Sequence, residues 1–240
     1  AAFKAVMSDK QVAYLVPTTV LARQHYYAFK KRFEPFGVTV ELLSRFVTNK
    51  EQTDVLKRLK GGFVDVVIGT HRLLSKDIGF KDLGLLIIDE EQRFGVEHKE
   101  RIKEMRVNVD CLSLSATPIP RTLQMALMGI KDLSMIETPP LNRYPIQTYI
   151  VERHDAIIKE AIEREISRAG QVFYLYNRVL DMELMVTKIS KLVPEAKVCF
   201  AHGKMSKEQI EDGLSDFIDR KYDVLVSTTI IETGIDIPNT

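Results

Sequence analysis

Short apolar runs alternate along this chain with longer stretches patterned for helices, and several of the runs end in polar residues with chemical potential. Residues 11–16 form an apolar run stopping at Pro17, and Thr18 sits where an N-cap belongs, predicting a helix to about residue 33. Residues 39–43 predict a second strand. Asn49 opens a helix over 50–60, with Gln52 placed for a capping box and Gly61-Gly62 closing it. Residues 64–68, 85–88 and 111–114 read as three further strands, and 121–128 as a short helix closed by Gly129.

The stretch Glu137-Thr138-Pro139-Pro140-Leu141-Asn142-Arg143-Tyr144-Pro145 carries three prolines, so it is neither helical nor central in a sheet and reads as a linker. Alternation then resumes. Residues 146–151, 172–176, 197–201 and 224–227 predict strands, and 154–168, 180–192 and 206–219 predict helices. Repeated strand–helix alternation favours parallel sheets with right-handed crossovers. The expected fold class is therefore α/β, in two lobes of mostly parallel sheet flanked by helices, spanning residues 1–140 and 141–240. No short-period repeat is visible. Both ends read as cut, so lobe 1 is expected to be incomplete at its N-terminus and lobe 2 at its C-terminus. Lobe 1 should then leave a sheet edge exposed and tend to aggregate.

Composition narrows the class without naming a partner. Of 240 residues, 45% are hydrophobic and 28% charged, as in ordinary soluble domains. No run approaches the length needed to span a bilayer, and the expected location is cytoplasmic. Cys111 and Cys199 lie far apart in apolar strand patterns and read as reduced core thiols. The net charge of +1 hides an asymmetry: 21 Lys+Arg against 17 Asp+Glu in residues 1–140, and 13 against 16 in residues 141–240. Neither half is basic enough to announce a nucleic acid from charge alone.

The richest segment is Asp89-Glu90-Glu91-Gln92, directly after Leu83-Gly84-Leu85-Leu86-Ile87-Ile88. Consecutive carboxylates at the end of a buried parallel strand open into the crevice where α/β sheets bind ligands. One carboxylate there can hold Mg2+, and its neighbour can take a proton from the water attacking a γ-phosphate. The next strand ends in Ser115-Ala116-Thr117-Pro118, which can couple nucleotide state to lobe movement. Pro17-Thr18-Thr19 and Gly69-Thr70-His71-Arg72 put hydroxyls and N–H groups at helix starts, a geometry that suits phosphate. Tyr176-Asn177-Arg178, Ala201-His202-Gly203 and Ser227-Thr228-Thr229 end strands of the second half, and Gly234-Ile235-Asp236 follows. Each segment alone also has a plain reading: a strand-to-loop junction, a turn, a helix cap, a packed or surface histidine.

Taken in order, these segments resemble the motor core of superfamily 2 helicases and translocases. Glu91-Gln92-Arg93-Phe94-Gly95-Val96 and Thr117-Pro118-Ile119-Pro120-Arg121-Thr122-Leu123 resemble the RecG-type subgroup. Asp89 to Glu100 and Ile136 to Arg143 resemble the bacterial transcription-repair coupling factors within it. The resemblance implies two RecA-like lobes that bind ATP and Mg2+ in their cleft and track along double-stranded DNA. It implies that Asp89 holds the metal, Glu90 deprotonates water, Gln92 senses the γ-phosphate, and Ser115 and Thr117 relay the event. Gly234 and Asp236 would approach the nucleotide. Thr18, Thr19, Arg23, Thr70, Arg72, Asn177, Arg178, His202, Gly203, Thr228 and Thr229 would contact the DNA backbone.

The implied activity is translocation that displaces stalled RNA polymerase and promotes nucleotide excision repair, with polymerase and repair proteins bound through other domains. Fork remodelling of the RecG kind is the alternative, and a non-catalytic nucleic-acid-binding module the rival. The chain departs from the pattern in two places. No Gly-x-x-x-x-Gly-Lys-Ser/Thr loop occurs, and no arginine motif follows Asp236. The segment alone is therefore expected to be inactive towards ATP.

Overall fold

The computed structural model describes residues 1–116, 128, 132–138, 146–229, 234–237 and 239–240. A short helix, α1 (Ala2–Val6), precedes β1 (Gln11–Leu15), α2 (Thr19–Phe33), β2 (Val40–Leu43), α3 (Asn49–Gly61), β3 (Val66–Gly69), β4 (Leu83–Asp89), α4 (Val96–Met105) and β5 (Asp110–Leu114). The second lobe contains α5 (Asp155–Ser167), β6 (Val172–Leu175), α6 (Met182–Leu192), β7 (Val198–Ala201), α7 (Lys207–Ile218) and β8 (Val224–Ser227). Among the described residues, the first sheet has the order β2-β3-β1-β4-β5 and the second β6-β8-β7, with every pairing parallel.

Side-chain alternation sends β1 to two cores at once. Ala13 and Leu15 pack with Leu59, Leu73 and Ile102 on one face, whereas Val12, Tyr14 and Val16 pack with Leu21 and Ala22 on the other. All five residues of β1 are buried, as a central parallel strand requires. Each Val or Leu so buried contributes roughly 1.5–3 kcal/mol of transfer free energy.

The lobes are built on one plan. Gln11 Nε2 donates to the carbonyls of Leu59 (2.9 Å) and Val64 (2.8 Å), stitching the start of β1 to the end of α3. Gln171, just before β6, donates likewise to Phe217 (2.6 Å) and Tyr222 (2.7 Å). Asp65 accepts from the Thr39 N–H at 2.7 Å, and Asp223 accepts from the Lys197 N–H at 2.8 Å. A repeat of domain length, too long to show as a short period, is thus visible through its shared polar fastenings.

Several sequence expectations need correction. The capping box of α3 uses Thr48 and Glu51, one residue earlier than expected. Gln52 instead turns back to the Val47 carbonyl at 2.9 Å. Residues 146–151 form no strand: Ile146 and Ile150 are 87% and 99% exposed, so no burial offsets the entropy of ordering them in a sheet. Helix α4 went unpredicted because its polar sequence buries only Ile102. Cys111 is exposed on β5, an edge strand whose burial pattern is open over its first three residues. Cys199 is half-buried, and neither thiol is in a disulfide. The short helix expected over 121–128 and most of the proline-rich segment lie outside the described residues.

Candidate active site and inter-lobe face

The apolar β4 delivers its acids to a bend. Glu90 has φ +49°, a left-handed conformation that costs a non-glycine residue about 1–2 kcal/mol. The Glu90 N–H donates to the Leu114 carbonyl at 2.9 Å, carrying the β4–β5 ladder one step past the strand. This turn brings the Glu90 side chain inward, 4% exposed, against the end of β5. There it accepts from the Ala116 N–H at 3.0 Å, from Gln92 Nε2, and from Ser115 Oγ at 3.4 Å. Gln92 also reaches Ser115 Oγ at 3.4 Å. Glu90, Gln92 and Ser115 therefore form one hydrogen-bonded unit across two strand ends. Thr117 lies outside the described residues.

The neighbouring acids differ. Glu91 accepts from Ser113 Oγ at 2.9 Å and pairs with Arg106 at 3.0 Å, fastening α4 to β5. Asp89 keeps 17% side-chain exposure and faces His25 of α2, with Nε2 to Oδ2 at 3.6 Å. Tyr14 Oη lies 3.4 Å from the same imidazole nitrogen. Burial, reinforced by the Asp89 charge, holds the Tyr14 hydroxyl well above its ordinary pKa, so it stays protonated. His25 and Tyr14 carried no signal in the sequence beyond helix and strand periodicity. Asp89 offers one partly exposed carboxylate, a donor that Mg2+ can use when phosphates and water complete its shell.

The second lobe meets the first along α2. Gln24 Nε2 donates to the Gly234 carbonyl at 3.1 Å, and the Asp236 N–H donates to Gln24 Oε1 at 3.0 Å. Gly234 has φ +89°, a conformation open to glycine, and the nearest atom to a Cβ there is Leu21 Cδ2 at 3.6 Å. Gly234 and Asp236 are thus seated one residue along α2 from the histidine that faces Asp89. Val20 joins an apolar cluster with Leu214 and Phe217 of α7.

The residues assigned by resemblance to DNA fall into four groups. Thr18 is buried and caps α2 by accepting from the Leu21 N–H at 3.4 Å. Thr19 and Arg23 face α7: Thr19 Oγ1 donates to Glu211 at 2.6 Å, and Arg23 binds both oxygens of Asp219 at 3.0 Å and Ser215 Oγ at 2.8 Å. The Asp219 carboxylate holds the Arg23 guanidinium above its usual pKa. Thr70 and Arg72 line a polar cavity of about 240 Å3 with Thr19, Arg45, His71 and Glu211. Arg72 is itself paired with Asp77 through two bonds of 2.7 and 2.6 Å. Asn177, Arg178, Gly203 and Thr229 are exposed, while His202 and Thr228 are partly covered. A second inter-lobe cavity, about 520 Å3, gathers Thr18, Arg93, Gly203, Thr229 and Glu211. Arg45 and Glu211, which join the two faces, were not picked out from the sequence.

Two parallel-sheet lobes facing each other, with an acidic strand end beside the contact, are the RecA-like architecture of helicase motors. The chain belongs to the DEAD/DEAH box helicase family, whose pattern matches residues 1–126; the helicase conserved C-terminal domain matches residues 153–240. It is 62% identical over 239 residues to the transcription-repair-coupling factor of Bacillus subtilis (strain 168), covering 100% of this chain and 20% of that protein. Identity to the coupling factor of Staphylococcus aureus (strain NCTC 8325 / PS 47) is 59%, with the same coverage. The chain thus spans about a fifth of the length of these relatives. Among solved structures it resembles RecG bound to a three-way DNA junction, with TM-score 0.77, 38% identity, and 96% of this chain and 31% of that chain covered. The fold also matches Saccharomyces cerevisiae Dbp5 L327V bound to RNA and ADP BeF3, with TM-score 0.67, 18% identity, and 100% and 63% covered. Among the described residues, no helix is long and apolar enough to cross a membrane.

Proposed function

We propose that this chain is the motor segment of a transcription-repair coupling factor, converting ATP hydrolysis into movement along double-stranded DNA. The observation that carries the reading is 62% identity to such a factor along the whole chain, coupled to a buried glutamate at the acidic strand end. Movement on DNA would displace stalled RNA polymerase and promote excision repair in the cytoplasm, with polymerase and repair proteins held by other parts of the protein. The likeness to RecG favours, as a second reading, remodelling of branched DNA by the same motor.

The residues divide the work. Glu90 is the proposed base. Its carboxylate is oriented by the Ala116 N–H and by Gln92 and Ser115, so it can accept a proton from water once one of these donors turns away. That donor is proposed to be Gln92, which then becomes available to a γ-phosphate, with Ser115 and Thr117 relaying the change. Asp89 would hold Mg2+, which supplies charge neutralisation at the β- and γ-phosphates. Gly234 and Asp236 bring lobe 2 to the nucleotide side of α2. DNA phosphates are proposed to meet Thr18, Thr19, Arg23, Thr70 and Arg72 in lobe 1, and Asn177, Arg178, His202, Gly203, Thr228 and Thr229 in lobe 2. By itself the chain, which carries no phosphate loop, is proposed to turn over no ATP.

The test exchanges this segment into the B. subtilis relative. DNA-stimulated ATP hydrolysis and displacement of a triplex-forming strand should both persist in the chimera, and Glu90→Gln should lower turnover at least about a hundredfold while nucleotide still binds. Undiminished turnover in that variant rejects the assignment.

A further inference from the structure

Helix α7 turns a row of carboxylates towards lobe 1. Glu211, only 6% exposed, accepts from Thr19 Oγ1 at 2.6 Å and from the Thr19 N–H at 3.4 Å, and pairs with Arg45 Nε at 2.9 Å. Arg45 reaches on to Asp212 at 2.8 Å and to the Glu208 carbonyl at 3.1 Å. Two turns further, Asp219 takes the Arg23 guanidinium with both oxygens. A carboxylate meeting a hydroxyl, a backbone N–H and a guanidinium makes the contacts that a phosphate diester oxygen would make. Thr19 and Arg23 are among the groups proposed above for DNA, and Arg45 lines the same cavity as Thr70 and Arg72.

We propose that the α7 carboxylates are intramolecular stand-ins for DNA phosphates, and that Arg45 is a further DNA-backbone contact held in reserve by Glu211 and Asp212. The inference rests on the DNA reading above. While the lobes are latched, Thr19, Arg23 and Arg45 are occupied, and a duplex reaches them only after α7 withdraws. Contacts of this kind suit a movable joint. Much of the contact is polar, two of the ion pairs keep partial exposure, and salt screens them. A chain latched in this way shows an apparent affinity for DNA reduced by the fraction of molecules that are open.

The experiment is a fluorescence-anisotropy titration of a short fluorescein-labelled duplex with this chain. Wild type is compared with Asp219→Asn, with Glu211→Gln/Asp219→Asn, and with Glu160→Gln/Glu183→Gln, which removes two exposed acids of lobe 2 outside the latch. Asp219 is a partly exposed surface partner, so its variant tests the latch even where the double variant fails to fold, a point read from circular dichroism. The expected result is a dissociation constant about threefold lower for Asp219→Asn and about tenfold lower for the double variant, as for a latched state populated at roughly 90%. The control pair should stay within twofold. Adding Arg45→Ala to the double variant should return most of the gain. Binding unchanged or weakened by loss of the α7 acids, or raised equally by the control pair, overturns the latch while leaving the DNA reading intact. No binding by any variant overturns both.

Discussion

Glu90 and Gln92 can be exchanged on paper, and the outcome separates folding from chemistry. In Glu90→Gln, one end of the new amide must be a donor. If its oxygen accepts from the Ala116 N–H, its nitrogen meets Gln92 Nε2, another donor; if it is flipped, the nitrogen meets the Ala116 N–H. Unless Gln92 turns its amide over to present Oε1 to the new nitrogen, a buried donor loses its acceptor, so the cost is at most about 1–3 kcal/mol. For a chain of this size that lowers the melting temperature by roughly 2–4 °C per kcal/mol. Adding Gln92→Glu restores an acceptor opposite the new amide and leaves Ser115 Oγ a carboxylate to donate to. The double swap should regain most of the lost melting temperature. It should also remain as inactive as the single variant in the B. subtilis chimera, because the carboxylate has moved off the left-handed bend that aims it. Thermal unfolding by circular dichroism reads the first outcome, and DNA-stimulated ATP hydrolysis the second. A swap that melts no higher than Glu90→Gln refutes the hydrogen-bond argument. A swap that recovers turnover refutes the assignment of the base to position 90.

Other outcomes follow from the shared plan of the lobes and from burial. Gln11→Ala strands four backbone groups, the carbonyls of Leu59 and Val64 and the N–H groups of Lys81 and Asp82, whereas Gln171→Ala strands two. Urea unfolding should show Gln11→Ala costing about 3–5 kcal/mol and Gln171→Ala about 2 kcal/mol, and equal losses would contradict this reckoning. Cys111 is exposed, while burial pushes the Cys199 thiol up to about 12, so at pH 8 a disulfide reagent should titrate one thiol promptly and the second only on unfolding. Burial first, then the charges of Lys207 and His98, lowers the pKa of His71 below its ordinary 6.5. The unfolded chain therefore binds the extra proton first, and this contribution to stability is present above pH 6.5 and lost as pH falls through the depressed value. His71→Gln should flatten that part of the acid limb of a stability–pH curve; an unchanged slope would assign it to other groups.

Legibility followed the kind of interaction involved. Strands β1, β4 and β8 were plain because a central parallel strand is apolar throughout, and that pattern needs no partner to be seen. The strand expected over 146–151 failed for the complementary reason: an apolar run predicts burial only if a sheet edge receives it, and Ile150 is almost fully exposed. Helix α4 was hidden because an edge helix that buries little leaves little periodicity. The acids of β4 and the hydroxyl of Ser115 were picked out as polar strand ends, but their union through Gln92 depends on the bend at Glu90, which no residue type announces. Arg45 and Glu211 were unreadable in principle. Their significance lies in a contact between residues 166 positions apart, and each alone is an ordinary charge on a loop or helix.

The two lobes use the same fastenings for opposite ends. In lobe 1, Gln11 binds both sides of β1 to the elements around it, with its Oε1 accepting from the Lys81 and Asp82 N–H groups at 2.7 and 3.0 Å. In lobe 2, the equivalent Gln171 Oε1 is buried without a partner among the described residues. Among the described residues Gln11 thus makes the fuller set of fastenings, and its lobe carries the acidic strand end proposed above for the chemistry. Lobe 2 presents α7 and the Gly234–Asp236 segment, whose contacts to α2 combine hydrogen bonds and an ion pair at a partly exposed face with apolar packing of Leu214, Phe217 and Ile235 against Val20. A motor needs this division. The proposed base at Glu90 would have to be held to a fraction of an ångström, and the partner lobe would have to leave and return against a few hydrogen bonds, an ion pair and the apolar contact at Val20. Helix α2 sits at the junction. Its His25 faces Asp89, its Gln24 faces Gly234 and Asp236, and its Thr19 and Arg23 face α7, so rigid movement of one fifteen-residue helix is felt at all three.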